Sequence, residues 1–404
     1  MILRLAWRNL WRSRQRTLLM IGIVAVGAWA VVLLWGVTEG FFSSMIHARV
    51  SLDTGDLQVH RRGYLDDPDL ELVLIPDQLR ALEEALQGQE RRVRAWAPRL
   101  ELEGLLRSTY AARGVQIRGI NPAREPQVTV LHRAVSEGRF LEGPGEILLS
   151  REIARRLDVR LGERVVLDIQ GREGPQARGF RVVGLLETGL PLLDEAVVFI
   201  PLEDARRLAG TPGATEVAIA LDSGVKPSVA DRALEEVLGE GYQVSTFMEL
   251  DPLFSSMARI ERIEMVPTML LLAALAGFGV ANTVMFTVLE RTREFGVLMA
   301  LGLKPRRLAR MVLVESVLAS TLGFTLGGGA GYGLIIYLAR AGFDLGIYSE
   351  AFPELGMPHV IYAEASGWYW LYSFSVVVLT GLLAAWYPAR RAAKLDPTEA
   401  MRHV

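Results

Sequence analysis

Residues able to do covalent or metal chemistry are few, and they are poorly placed for it. The chain has no Cys, which removes thiol nucleophiles, disulfides, Cys-ligated metals and Cys-linked lipids together. Its five His stand at 47, 60, 132, 359 and 403, with no H-E-x-x-H pair to hold zinc. The adjacent carboxylates Asp66-Asp67 and Glu83-Glu84 read as solvated surface rather than as an acid–base dyad. No Gly-Lys dipeptide occurs, so the phosphate-cradling loop G-x-x-x-x-G-K-[ST] is absent. No catalytic residue and no metal ligand is assigned, and the chain is read as no enzyme. Any nucleotide chemistry would belong to another chain.

What the sequence does concentrate is charge beside small and apolar residues in Leu289–Ser316, LERTREFGVLMALGLKPRRLARMVLVES. Glu290–Glu294 carries both signs, and Phe295–Leu303 is apolar with Gly296 and Gly302. Lys304–Arg310 then places four cations before the chain turns apolar at Met311. Pro305 favours a bend, because it fixes its own φ and drives residue 304 out of the helical region. On charge alone two readings stand level: a short helix lying across a membrane surface, and an ordinary basic loop on the cytoplasmic side.

The elements around this stretch are set by hydropathy. Of 404 residues 50% are hydrophobic and only 22% charged, too apolar for an ordinary soluble chain of this size. The net charge of −2 decides nothing about nucleic acid, and no basic patch is rich enough to argue for it as a partner. Met1–Arg16 alternates Arg with Leu3, Trp7, Leu10 and Trp11 at helical spacing, the pattern of a helix resting among lipid headgroups. Thr17–Val37 follows without a charge, long enough to cross a hydrocarbon layer of about 30 Å at about 1.5 Å per residue. A cleaved signal peptide is the rival, since Ala28-Trp29-Ala30 resembles a cleavage triplet, but the apolar run continues to Trp35.

Further spans are expected at 266–289, 311–339 and 368–387. In the second, Asn282 is the main polar group, of the kind that bonds across helices. In the third, Gly323, Gly327 and Gly331 recur every fourth residue, which permits close helix contact, either at a subunit interface or within one chain. Trp368, Tyr369, Trp370 and Tyr372 at one end of the fourth span, and Trp386 and Tyr387 at the other, have the placing of interfacial aromatic belts.

Between the first two spans, residues 39–265 form a mixed α+β sequence with a stalk. Strands are expected at 57–60, 115–120, 146–149, 164–169, 180–186, 196–200 and 216–221. Helices are expected at 77–86, 151–157, 203–208 and 229–238, the last capped by Ser228. Leu253, Met257, Ile260 and Ile263 mark a helical stripe that could pair with 40–51 as the stalk. Arg crowds the first 16 residues, the 290–310 loop and the tail 388–404, whereas the loop 340–367 is acidic. The positive-inside tendency then puts both termini and the 290–310 loop in the cytoplasm, and residues 39–265 outside. The expected architecture is an integral membrane α-helical protein with four transmembrane helices. A cytoplasmic amphipathic helix covers 1–16, the first span 17–38, and a large extracytoplasmic α+β domain lies between helices 1 and 2.

The string ERTREFGVLMALGLKPRRLARMVLVES resembles the cytoplasmic loop of the FtsX-like, MacB-type ABC transporter permease family, which includes lipoprotein-releasing and macrolide-exporting permeases. GRFLEGPGEILLSREIARRLDVRLGERVVLDI, GFRVVGLLETGLPLLDEAVVFIPLEDARRLAG and TGDLQVHRRGYLDDPDL resemble that family's periplasmic core domain, and YPARRAAKLDPTEAMRHV its C-terminal signature. The resemblance implies a permease of the cell inner membrane whose 290–310 loop is a coupling helix. Its docking residues would be Arg293, Glu294, Phe295, Gly296, Leu298, Ala300, Leu301 and Gly302. The implied partners are an ABC ATPase that binds ATP and Mg, a second permease copy or a paralogue, membrane lipid, and a lipoprotein or periplasmic carrier. Its implied work is lipoprotein release or export of a periplasmic substrate. The rival, from another class, is a non-transporting regulator that relays an ATPase cycle to a cell-wall hydrolase outside.

Overall fold

The structure is a computed structural model that describes residues 2–89, 92–346, 360–395 and 400. Parts of the expected loop 340–367 and of the tail 388–404 lie outside the described residues. The described chain forms two compact units. One comprises residues up to 43, 257–344 and those from 360 onward, and the other 44–256 with 345–346.

The first unit is helical apart from one short antiparallel pair, Phe343–Asp344 with Val360–Ile361. α1 (Ile2–Leu10) and α2 (Arg14–Arg49) are separated by a turn, where Thr17 Oγ1 donates to the Leu10 carbonyl at 2.5 Å. The expected single helix over 1–16 is thus broken at 11–13, and its apolar residues divide: Leu10 is buried while Trp7 and Trp11 stay exposed. α10 (Pro252–Glu290), α12 (Pro305–Ala341) and α13 (Gly367–Ala393) complete four helices long and apolar enough to cross a membrane. In hydrocarbon only a helix satisfies every backbone group of a single segment, so such runs have no other stable form. α12 starts where its sequence dictates: Lys304 is extended (ψ 138°) and Pro305 occupies the first helical position. The bundle core joins Val24 and Ala28 of α2 to Val280 and Val284 of α10, Ala319 and Phe324 of α12, and Val377 and Ala385 of α13. Trp368, Trp386 and Tyr387 remain exposed near the two ends of α13.

The second unit carries a ten-stranded sheet in the order β10-β1-β9-β2-β3-β8-β5-β7-β4, with β6 pairing β2 and β7. Its strands are β1 (Leu57–Arg61), β2 (Val93–Arg107), β3 (Ala112–Ile120), β4 (Val135–Gly138), β5 (Glu146–Ser150), β6 (Arg164–Gly171), β7 (Gly174–Leu186), β8 (Val197–Pro201), β9 (Glu216–Leu221) and β10 (Tyr242–Thr246). Pairing is antiparallel except β3 with β8 and β5 with β7. The helices of this unit are α3 (Pro76–Gln87), α4 (Glu125–Val128), α5 (Arg151–Arg156), α6 (Pro191–Ala196), α7 (Leu202–Ala209), α8 (Pro227–Leu238) and α9 (Phe247–Leu250). α3 and α8 bury Leu82, Leu86 and Leu234 against β1 and β9, while α5 and α7 close a second core around Leu149, Ile153 and Leu208.

Local chemistry explains several boundaries. Ser150 caps α5 by accepting from the Ile153 amide at 3.0 Å. The expected cap Ser228 is corrected: α8 starts at Pro227, with Lys226 as its extended cap, because Pro is already set for the first helical turn. β2 escapes the sequence pattern, since Arg and Glu alternate through it and Pro98 interrupts it. Pro98 is tolerated because it pairs only with Val217 of β9, the ladder to β3 beginning at Arg99.

Candidate functional site

The loop between the second and third spans is built as a short helix, α11 (Thr292–Ala300), kinked from the end of α10 at Arg291 (φ −93°, ψ 12°). Its end is a glycine stop. Gly302 takes φ +92°, its amide donates to the Met299 carbonyl at 3.0 Å, and the Leu303 amide donates to Leu298 at 3.0 Å. These two bonds close the last turn in the pattern that favours glycine at the position after the cap. A Cβ at Gly302 would meet open space, so the backbone angle, not close packing, accounts for this glycine.

The sequence-expected residues divide between two faces of α11. Phe295 is 1% exposed and Gly296 is buried, both turned into the bundle, where the Arg291 guanidinium lies 5.1 Å from the Phe295 ring centroid. Arg293, Leu298, Ala300 and Leu301 face outward with Val297, Leu301 at 80% exposure. The outward face of α11 therefore holds fewer of these residues than expected, because the neighbouring helices already cover Phe295 and Gly296. Glu294 is held from two sides, by Arg12 Nη2 at 2.9 Å and Arg291 Nε at 3.1 Å. Arg291 also reaches Glu315 of α12 at 3.5 Å, and Asn9 of α1 donates to the same carboxylate at 2.8 Å. Arg16 pairs with Glu290. Glu294 thus ties α11 to the turn between α1 and α2, Arg291 ties the junction before α11 to α12, and Arg16 ties α2 to the end of α10. Asn9 and Glu315 were not legible as partners, since 306 positions separate them.

The three glycines of α12 that recur every fourth residue share one neighbour, α2. Gly323 abuts Val24, Gly327 the backbone of Ala25, and Gly331 Trp29 and Val32. Of the two settings the spacing left open, they occupy contacts within one chain. Asn282 does not join them: it is exposed on the face of α10 that carries Phe278 and Phe286, and among the described residues it makes no hydrogen bond across helices.

The second unit holds a buried ionic cluster that the sequence did not signal. Arg99 (1% exposed) meets Glu125 at 2.6 and 3.1 Å and Glu216 at 3.1 Å. His60 Nε2 lies 3.6 Å from Glu216 and Gln58 Nε2 3.3 Å from it. Burial pulls Glu216 upward, but contact with His60 and the charges of Arg99 and Arg118 hold its carboxyl down at about 2. Each carboxylate has a cationic partner, and the Thr129 hydroxyl donates to Glu125 at 2.8 Å, so the cluster has the makings of a structural tie. Among the described residues no group of three His, Cys, Asp or Glu could hold a metal ion.

Four membrane-length helices with a sheet-bearing domain inserted between the first and second define a multi-pass membrane protein with one large inserted domain. The family description "MacB-like periplasmic core domain" matches residues 17–237 and "FtsX-like permease C-terminal" matches 268–397. The chain belongs to the FtsX-like, MacB-type family of ABC transporter permeases. It is 27% identical over 334 residues to the lipoprotein-releasing system transmembrane protein LolC of Xylella fastidiosa, covering 79% of this chain and 80% of that one. It is 24% identical to LolC of Neisseria meningitidis, over 96% of this chain and 94% of that one. The macrolide export ATP-binding/permease protein MacB 2 of Aeromonas hydrophila is 27% identical over 98% of this chain, which spans 60% of that longer protein.

Proposed function

We propose that this chain is the membrane subunit of an ABC transporter in which α11 receives the movement of a separate ATPase and the bundle relays it to the outer domain. One observation carries the reading: a nine-residue helix between two spans presents Val297, Leu298 and Leu301 outward while ion pairs tie it to its neighbours. A cluster of exposed apolar side chains on a charged loop marks a surface that meets a partner or a membrane, and the flanking charges favour a protein partner. The ties at Arg291 and Glu294 let a push on α11 move α1 and α12 instead of bending a loop. Arg-rich 1–16, 290–310 and 388–404 support a cytoplasmic side for this face, with both termini there and residues 39–265 outside. The docking set is Arg293, Val297, Leu298, Ala300 and Leu301, with Gly302 stopping the helix. The match to LolC over most of its length supports release of a lipid-anchored protein as the work performed. The ATPase would supply ATP and Mg, and a second permease copy or paralogue would complete the membrane part.

Leu298→Asp tests this reading. A carboxylate buried unpaired at an interface costs about 2 kcal/mol or more, so this variant should release the ATPase. Arg307→Ala removes one exposed charge that salt and water partly screen, and should weaken binding less than Leu298→Asp does. The measurement is co-purification of the ATPase in detergent at matched permease levels. If Leu298→Asp retains the ATPase while Arg307→Ala loses it, the basic segment is the docking face and the assignment fails.

A further inference from the structure

α1 has three faces, and the membrane accounts for only one. Ala6 and Leu10 are buried in the bundle, and Arg4, Trp7, Arg8 and Trp11 point away from it. Leu5 and Asn9, with Arg12 just beyond the helix, stand at positions i, i+4 and i+7 on a third face. That face lines a groove whose opposite wall is α11 and the start of α12. Leu5, Leu298 and Leu303 are among its apolar lining, and Arg12, Arg293, Arg307 and the Arg-paired Glu294 line it as well. Arg12 is engaged by Glu294, but Arg293 and Arg307 have no ion pair among the described residues and are exposed. Asn9 is held to Glu315 at 2.8 Å and lies 3.7 Å from the Met311 sulfur, so the α1 wall is fixed in place.

We infer that α1 is the second wall of the ATPase-docking groove, and that the part of the ATPase entering it has an apolar tip flanked by carboxylates. The inference rests on the coupling function proposed above and deepens it. An apolar slot with two unpaired guanidinium groups at its mouth rejects a cationic partner and draws in one bearing carboxylates. Arg suits that recognition, since its planar fork meets a carboxylate through two parallel bonds. α1 would also add contact from an element far away in the chain, so docking would grip the N-terminal helix and α11 at once.

The test measures the affinity of the ATPase subunit that co-purifies with the wild-type chain, purified separately and titrated onto the full-length permease in detergent. The variants are Leu5→Asp, the double reversal Arg293→Glu/Arg307→Glu, and Leu298→Asp as reference. Each is first matched to wild type in membrane level and elution profile. The double reversal alters only exposed side chains, so it keeps the test open should Leu5→Asp dislodge α1. Leu5→Asp and the double reversal are each expected to weaken binding by about tenfold or more. Raising salt from about 0.05 to about 0.5 M should weaken wild type more than the double reversal. If Leu298→Asp releases the ATPase while the other two bind as wild type, the groove has one wall and the inference fails, though the coupling function stands. If Leu298→Asp also binds as wild type, the coupling function falls and takes the inference with it. Loss of bound anionic phospholipid from the double reversal, with ATPase affinity unchanged, would make the groove a lipid site and overturn the inference.

Discussion

Gly327→Ala and Gly329→Ala, two residues apart on one helix, should have opposite effects. A Cβ at Gly327 would lie 2.5 Å from both Cα and the carbonyl carbon of Ala25, and closer still to its oxygen. Ordinary contacts of a real Cβ begin at 3.4 Å, so α12 and α2 must part by about 1 Å, and no flexible side chain can yield in their place. A gap of that size forfeits a quarter to a half of each contact's well. Over roughly twenty atom pairs of about 0.15 kcal/mol each, this is about 1 kcal/mol. Strain from overpacking brings the expected loss to about 1–3 kcal/mol. Gly329 meets nothing within 4 Å, so alanine there costs no contact and gains up to about 1 kcal/mol of helix propensity. The assay is thermal denaturation in one detergent, followed by the monodisperse fraction on size exclusion. Gly327→Ala should melt several degrees below wild type, and Gly329→Ala at or slightly above it. Equal melting of the two variants would show that α12 does not approach α2 closely, and the packing argument would be refuted.

Because the chain has no Cys, single cysteines report sidedness directly. Asp168→Cys should react with an impermeant thiol reagent in intact cells, and Ser13→Cys and Arg306→Cys only after lysis; labelling of Arg306→Cys in intact cells reverses the orientation. The Arg99 cluster makes the outer domain acid-sensitive. With the Glu216 carboxyl held down at about 2 in the folded protein, its contribution to stability is complete above the ordinary carboxylate range near 4.5 and is lost as pH falls through about 2. Trp fluorescence across that window should show acid unfolding that Glu216→Gln makes shallower, and an unchanged profile in the variant would remove the cluster from the account.

The four spans needed only hydropathy, because a membrane leaves a long apolar segment no alternative to the helix. The start of α12 and the stop of α11 were similarly local, since Pro305 and Gly302 act through their own backbone angles. Seven of the ten strands were legible from alternation and β-branched content. β2 was not: its Arg99 looks like a surface residue until Glu125 and Glu216, which are 26 and 117 positions away, neutralise it in the core. The 290–310 segment shows the same division at one site. Charge, glycine and length marked α11 in the sequence, but Phe295, Leu298 and Leu301 are equally apolar there. Only the packed bundle decided that Phe295 turns inward and Leu301 outward, because burial depends on which neighbours arrive at each side of the helix. The glycine ladder predicted a close contact without naming the helix that makes it. Spacing along one helix defines a face, and the partner α2 is chosen by the fold of a chain that returns some 300 residues later.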